Sequence, residues 1–450
     1  MHERNISDFY IQNFLQQVIK VSESNDGAVD LGSVQTPQAD LLMEHPNDPN
    51  ELEDLNQLGL ALLKKVAVIK LNGGRSTTMG GNVPKCVLLA KNGYSYLEII
   101  CRQIECFRRL NNCDTPLVLM NSFFTNGPTL DLLSRIQFEA ITFVQNRVPR
   151  LLTDKLIPLD LGNHEDWAPP GHGDIFESLV DSGVMQRLLD LGIKWAFISN
   201  LDNLAATIAP WILGIVAKER IQFLLEVTPR TLEDCKGGTL VVRNDALELV
   251  EMAQVSEKDR SLFMDIQKFR VFNTNNVWVD LETTNELLAS KRFDLPIIQN
   301  RKTIGGYSVL QLETAMGAAI GSFELSRGLI VGRDRFFPTK RIEDLFVLQS
   351  DACVLDSEFN VRRNPKRAIE LSFRPTVKFH SSFLNSPLEF SKRFESPSSV
   401  SLVKAEVLTV CGNVFFEHDV SIEGTVSISA KEGEYFRIPA GSVLKTGVYP

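Results

Sequence analysis

The sequence predicts an α/β protein whose mainly parallel sheet is covered by helices on both faces and is followed by an all-β tail. Three observations carry this. From Leu62 onward short apolar runs alternate with helical patterns, first Val66-Ala-Val-Ile69, then Leu117–Met120 and Trp195–Ser199, and alternating β and α units build parallel sheets. After Arg374-Pro375 the pattern shifts to Val-rich runs punctuated by Gly and Asn, at Ser401–Val410, Val414–Phe416, Asp419–Ile422, Thr425–Ser429 and Ser442–Leu444. These read as strands, and their succession as a few coils of a β-solenoid. Finally, 450 residues are enough for two or three domains with a large buried core.

Taken in order, the chain opens with a polar, acidic flank. Phe9, Ile11, Phe14, Leu15 and Val18 fall at helical spacing, and a loop-like stretch from Ser22 to Asn50 contains Pro37, Pro46 and Pro49. The pattern changes near residue 60 and again near Phe346. We therefore expect a helical flank over 1–60, an α/β domain over 61–345 and a β domain over 346–450.

Composition narrows the function classes. The chain is 44% hydrophobic and 23% charged, an ordinary globular balance. With 47 Lys and Arg against 56 Asp and Glu, the formal charge is -9. That argues against a nucleic-acid-coating surface and leaves room for a local basic pocket holding one anion. The start, MHERNISDFY, lacks a charged segment followed by an apolar one, and no apolar run approaches the roughly 18 residues that span a bilayer. The expectation is a soluble, cytoplasmic protein with no membrane partner. Seven cysteines without a Cys-x-x-Cys pair fit reduced thiols, and the scattered histidines make no zinc-binding pattern.

The strongest chemical signal is Leu71-Asn-Gly-Gly-Arg-Ser-Thr-Thr-Met-Gly-Gly-Asn-Val-Pro-Lys85, directly after the strand Val66–Lys70. Glycines let backbone N–H groups approach a polyphosphate, and a lysine supplies a point charge for its oxygens. The segment matches neither a Walker A loop nor Gly-x-Gly-x-x-Gly. Taken alone it reads equally as a Gly-rich turn, but its place after the first strand favours ligand binding. Lys85 also favours the thiolate of its neighbour Cys86. In Trp167-Ala-Pro-Pro-Gly-His-Gly-Asp-Ile-Phe-Glu-Ser178, paired prolines and glycines fix a rigid loop around His172, with Asp174 as the expected N-cap of the next helix. In Phe197-Ile-Ser-Asn-Leu-Asp-Asn203 an apolar strand stops in Asn200, Asp202 and Asn203. A carboxylate there suits a divalent ion held against phosphates; the alternative is an Asx-turn. Glu226-Val-Thr, Lys236-Gly-Gly238 and Asn273-Thr-Asn-Asn276 place amides and glycines near predicted strand ends, which suits sugar hydroxyls, although each alone reads more readily as a turn. The basic segments Gln145–Arg150 and Arg333–Arg341 read as solvated or structural faces, leaving Gln145 and Lys340 as site candidates.

Together these segments resemble the eukaryotic-type UTP–glucose-1-phosphate uridylyltransferases, or UDP-glucose pyrophosphorylases. The likeness lies in LNGGRSTTMGGNVPK, LMNSFFT, QNRVPR, PPGHGDIFES, FISNLDNLAAT, EVTPRTLEDCKGGTL, VFNTNNVWVDL, QLETAMGAAI and RFFPTKRIEDL, collinear from about Ala67 to Leu345. The resemblance implies a Rossmann-like nucleotidyltransferase core, a C-terminal left-handed parallel β-helix, the substrates UTP and glucose 1-phosphate with Mg²⁺, and the products UDP-glucose and pyrophosphate. It implies that Leu71, Asn72, Gly73 and Gly74 line the nucleotide and that Gln145, Pro170 and Gly171 read the uracil. Lys85, His172 and Lys340 would hold phosphate oxygens, Asp202 the metal, and Asn200, Gly237 and Asn275 the sugar. The catalytic set is then Lys85, Lys340 and Asp202. Alternatives are a related UDP-sugar or UDP-N-acetylhexosamine pyrophosphorylase, or a catalytically weak nucleotide-sugar-binding homologue. The last is prompted by departures from the resembled loop pattern: Arg75, Ser76, Gly81, Asn82, Val83 and Cys86 stand where the resembled sequences usually carry Leu, Gly, Cys, Lys, Gly and Ser. A side chain at position 76 or 83 would strain the loop wherever φ must be positive. Oligomeric state, regulation and direction in the cell stay open.

Overall fold

The computed structural model describes residues 1, 6–23, 29–380, 384 and 386–450. Helix α1 (Asp8–Glu23) forms where the N-terminal pattern predicts it, but its buried face is Tyr10, Ile11 and Phe14, while Phe9 and Leu15 face solvent. Of the expected loop from Ser22 to Asn50, residues 24–28 lie outside the described ones. Its remainder holds a two-residue strand, β1 (Leu42–Met43), and the start of helix α2 (Pro49–Ala61), whose first turn is capped by the Asp48 carboxylate accepting from the Asn50 N–H at 2.9 Å.

The α/β units follow in the predicted order. β2 (Val66–Asn72) leads through α3 (Tyr96–Asn111) to β3 (Leu117–Asn121), then through α4 (Asn126–Ile136) to β4 (Ile141–Val144). Short helices α5 (Ile175–Asp181) and α6 (Val184–Asp190) precede β5 (Trp195–Asn200), and α7 (Pro210–Lys218) leads to β6 (Phe223–Pro229), followed by β7 (Val271–Asp280) and β8 (Ser326–Ile330). The spatial order is β1-β8-β6-β7-β5-β2-β3-β4, and only β7 runs antiparallel to its neighbours. The result is an α/β fold with a mainly parallel mixed sheet. Every residue of β2 is buried, as expected of a central strand covered on both faces. Successive crossovers carry the chain from β2 outward to β4 and then back to β5 on the other side of β2. That reversal creates a switch point between β2 and β5, the usual crevice for a ligand in open α/β sheets.

Beyond residue 375 the described strands form parallel ladders. Thr376–His380, Val400–Cys411 and Val420–Ser429 pair in turn, the last also with Val443–Leu444 and Gly447–Tyr449, while Asn413–Phe416 pairs with Tyr435–Ile438. Where the sequence suggests two strands on either side of Glu423-Gly424, the chain makes one bent strand, because Gly424 takes a left-handed φ of 72° without leaving the ladder. Leu402, Leu408, Val410, Phe416, Ile422 and Ile428 point inward and join a continuous apolar cluster with Ile100 and Phe346. The tail is thereby packed onto the α/β core.

Helices α2 and α7 meet through glycine. A Cβ on Gly59 would overlap the Pro210 carbonyl, and one on Gly214 the Leu55 carbonyl. Overpacking of this kind costs about 1–3 kcal/mol, so Gly59→Ala is expected to lower stability by that amount, read as a shifted urea midpoint with an unchanged slope.

Candidate active site

The carboxyl ends of four strands converge. Leu71 pairs with Asn200 across β2 and β5, Asn72 with Asn121 across β2 and β3, and Gln145 directly follows β4, its N–H donating to the Asn121 carbonyl at 2.8 Å. A cavity of about 260 Å³ opens there. Leu71, Asn72, Gly73, Gly74, Lys85, Gln145, Gly171, His172, Asn200, Asp202 and Lys340 line it, with Met120, Pro169 and Leu201, which sequence reasoning did not single out. Pro169 and Leu201 adjoin predicted positions in the chain and Met120 pairs with Leu71 across β2 and β3, but nothing in their side-chain chemistry marks them.

One carboxylate organises the charged wall. Lys85 Nζ lies 2.7 Å from Asp202 Oδ2 and donates to the Thr339 carbonyl at 2.9 Å, while Lys340 Nζ reaches the same Oδ2 at 3.4 Å. Burial alone would push the Asp202 carboxyl up. The Lys340 and Lys85 ammonium groups outweigh it and hold the carboxyl below the usual range. The second oxygen, Oδ1, is buried and accepts no hydrogen bond. Both cations crowd one oxygen and leave the other open toward a further positive partner, which fits a divalent cation with one protein carboxylate and phosphate oxygens completing its shell. Among the described residues no group of three or more His, Cys, Asp or Glu side chains is placed to hold a metal.

His172 is held in one tautomer. Its Nδ1 accepts from the Met316 N–H at 2.9 Å, which leaves the proton on Nε2. Burial, with the Lys340 ammonium as second cause, pushes its pKa down to about 4, so the ring is a neutral donor at physiological pH. Gly171, at φ 85°, holds this loop against the Thr314 carbonyl, where any Cβ would collide. On the other side Gly73 lies against Gln145, whose Nε2 would sit 3.0 Å from an added Cβ. Backbone and carboxamide therefore leave a narrow slot between β2 and β4.

Several predicted residues serve the site indirectly or from outside it. The Asn72 carboxamide turns inward, donating to Asn121 Oδ1 and Thr129 Oγ1 at 2.8 Å each, so only its backbone faces the cavity. Pro170 lies behind the wall, its carbonyl accepting from the Thr314 N–H, and Pro169 takes its place in the lining. Gly237 also lies outside the cavity wall: a Cβ there would overlap the Phe272 ring, which gives that glycine a packing reason. Asn275 stands at a bulge in β7, where Glu226 pairs with Asn276 but Val227 with Asn273, at a left-handed φ of 58°. Such a bulge re-aims a side chain. Beneath it Glu226, fully buried, accepts from Arg335 through Nε at 2.9 Å and Nη2 at 2.7 Å, and from Trp278 Nε1 and Asn276 Nδ2. Contrary to the expectation that Lys85 favours its thiolate, the Cys86 thiol is buried and its pKa raised, desolvation outweighing hydrogen bonds from Thr129 and Asn72.

The description "UTP–glucose-1-phosphate uridylyltransferase" belongs to the family model that matches residues 11–423. The chain belongs to this family. Proteins named UTP–glucose-1-phosphate uridylyltransferase from Hordeum vulgare and Encephalitozoon cuniculi are 38% and 39% identical to it, over 98% and 89% of the chain and 93% and 80% of their own lengths. Among solved structures, the UDP-glucose pyrophosphorylase from Leishmania major, known in open and closed forms, matches with a TM-score of 0.88 at 32% identity, covering 100% of this chain and 98% of its own. A variant of that protein in complex with UDP-glucose matches equally well.

Within this family the unusual loop is built without strain. Ser76 has φ -79°, Val83 is absent from the positive-φ residues, and Gly80, at φ 67°, takes the left-handed turn. Ser76 Oγ donates to the Val83 carbonyl at 2.9 Å, and the Ser76 N–H donates to the same carbonyl at 3.1 Å. The Ser76 hydroxyl fills the space a Cβ on Gly81 would take. The three departures at 76, 81 and 83 thus form one interdependent closure. Arg75 lies over the Phe124 ring, 3.0 Å from its centroid.

His172 gives a direct test. The unfolded chain takes up a proton near pH 6.5 that the folded ring refuses until about 4, so stability falls as pH drops through that window. An NMR titration should place the His172 midpoint near 4, and a His172→Gln variant should lack this part of the acid slope.

Proposed function

We propose that the chain transfers a uridylyl group from UTP to glucose 1-phosphate, giving UDP-glucose and pyrophosphate reversibly. The observation that carries this is the single cavity in which an amide slot at Gly73 and Gln145 adjoins the Lys85–Asp202–Lys340 cluster, in a member of this family. A sugar phosphate is already an anionic nucleophile, so its attack on the α-phosphorus needs alignment and charge neutralisation rather than a general base. Lys85 and Lys340 supply positive charge beside the reacting phosphates, and the neutral His172 donates through Nε2–H to a phosphate oxygen. Leu71, Gly73, Gly74 and the backbone of Asn72 bound the nucleotide. The Gln145 carboxamide pairs with an N–H and a carbonyl of uracil at once, supported by the Pro170-Gly171 turn; cytosine presents the reverse pattern at its exocyclic edge. Asn200, Asn275 and the backbone near Gly237 take the sugar hydroxyls. Mg²⁺ would be held by Asp202 Oδ1 and would neutralise charge developing on the leaving pyrophosphate.

Three further assignments accompany this reading. We take residues 1–60, 61–345 and 346–450 as flank, catalytic domain and tail, and the parallel ladders of the tail as coils of a left-handed β-helix. We also place the protein in the cytoplasm with its water-soluble substrates; no helix among the described residues is long and apolar enough to cross a membrane.

Purified protein should release pyrophosphate only when UTP, glucose 1-phosphate and Mg²⁺ are all present, with UTP strongly preferred over ATP. Lys85→Ala should cut kcat/KM by about 100-fold or more, as the loss of a charge at a phosphoryl-transfer site does. Absence of release under all these conditions would overturn the assignment.

A further inference from the structure

The Pro169–Ser178 loop contains a carboxylate that the mechanism leaves unused. Asp174 occupies the N-cap position of α5, but its backbone is helical and its side chain makes no cap hydrogen bond. It reaches across to the base-reading segment instead. Its Oδ2 accepts from the Asn146 N–H at 2.7 Å and from Ser178 Oγ at 2.6 Å, and its Oδ1 accepts from Asn146 Nδ2 at 3.1 Å. Asn146 is the residue after Gln145. The carboxylate therefore ties the backbone at Gln145 to the loop bearing Gly171 and His172. From the far side Tyr10 of α1 lines one crevice with Asp174, where burial and then the Asp174 charge hold its hydroxyl protonated, and Asn13 of α1 donates to Glu177 at 3.0 Å. Helix α1 is itself anchored, with Ile6, Tyr10, Ile11 and Phe14 packed on Val148, Leu151, Ala168 and Leu312.

Resting on the base-reading role proposed for Gln145, we infer that Asp174 is a positioning residue for uracil selection, and that Tyr10 brings the N-terminal helix into that same device. A carboxylate accepting both N–H groups of Asn146 fixes where the preceding carboxamide points. A carboxamide that reads a donor and an acceptor together discriminates bases only when its plane is held. Loss of the clip therefore affects nucleotide choice before it affects charge neutralisation at Lys85 and Lys340.

The test measures UTP and CTP as alternative substrates, each with kcat and KM, in Asp174→Asn, Tyr10→Phe, Ser178→Ala and Gln145→Ala. Asp174→Asn should raise the KM for UTP about tenfold and reduce UTP-over-CTP discrimination by a similar factor, leaving kcat and the KM for glucose 1-phosphate within about twofold. Tyr10→Phe and Ser178→Ala should move the same two quantities about threefold. Equal losses in kcat and in both KM values, or unchanged discrimination in folded Asp174→Asn, would overturn the proposal. If Asp174→Asn fails to fold, the two milder variants decide it, and wild-type discrimination in both would overturn it. Gln145→Ala separates the two readings. If it loses discrimination while the clip variants keep it, positioning by Asp174 is wrong and the base-reading role stands; if it keeps discrimination, that role falls and the inference with it.

Discussion

A carboxylate shared by two ammonium groups joins parts of the chain that sequence order keeps far apart. Lys85 ends the Gly-rich loop, Asp202 lies in the turn just after strand β5, and Lys340 precedes the helix Ile342–Gln349. Asp202 is almost completely buried. A carboxylate in that position without partners would neutralise or unfold its surroundings, so both lysines are committed before any ligand arrives. The commitment is uneven, since one oxygen takes both cations and the other takes none. On the proposed reading an arriving phosphate meets two ammonium groups already in place, their ordering completed when the chain folded.

The strands were legible because burial on both faces leaves an unmistakable mark. Val66–Ile69, Leu117–Met120 and Trp195–Ser199 are continuous apolar runs, and the structure lengthens each only at its ends. The residues just beyond those ends were legible for the same reason: when an apolar strand stops in Asn200 and Asp202, the polar groups lie at the carboxyl edge of a sheet. Asp174 was misread because an acidic residue ahead of a short helix nearly always caps it. Its actual partner, Asn146, lies 28 residues earlier and comes close only through the packing of β4 against α5. The Glu226–Arg335 pair has the same character, a buried bidentate contact across 109 residues that no local pattern encodes. Gly237 shows a different ambiguity. Its lack of a side chain has a local purpose, accommodating the Phe272 ring, which from sequence looks the same as room left for a sugar.

The Gly-rich loop shows how a motif can drift without losing its shape. Ser76 and Val83 look like intrusions when each is compared singly with the family pattern. In the fold they are partners, and the glycine at 81 is what makes the serine fit. The left-handed turn remains at Gly80. Substitutions that seem to threaten the shape of the loop are accommodated as a set, because hydrogen bonding within the loop replaces the freedom that glycines supplied.

The two-residue strand β1 also governs what the sheet shows to solvent at its far end. Leu42 and Met43 pair with Gly328 and Leu329, covering the outer side of a five-residue strand whose free N–H and C=O groups would otherwise offer a template to another chain. So brief an edge is itself a poor template. The flank preceding the central strands therefore shields this edge of the sheet from edge-to-edge pairing, and the cavity at β2–β5 lies several strands away. Covering this edge and binding a ligand fall to different parts of the same sheet, free to change independently.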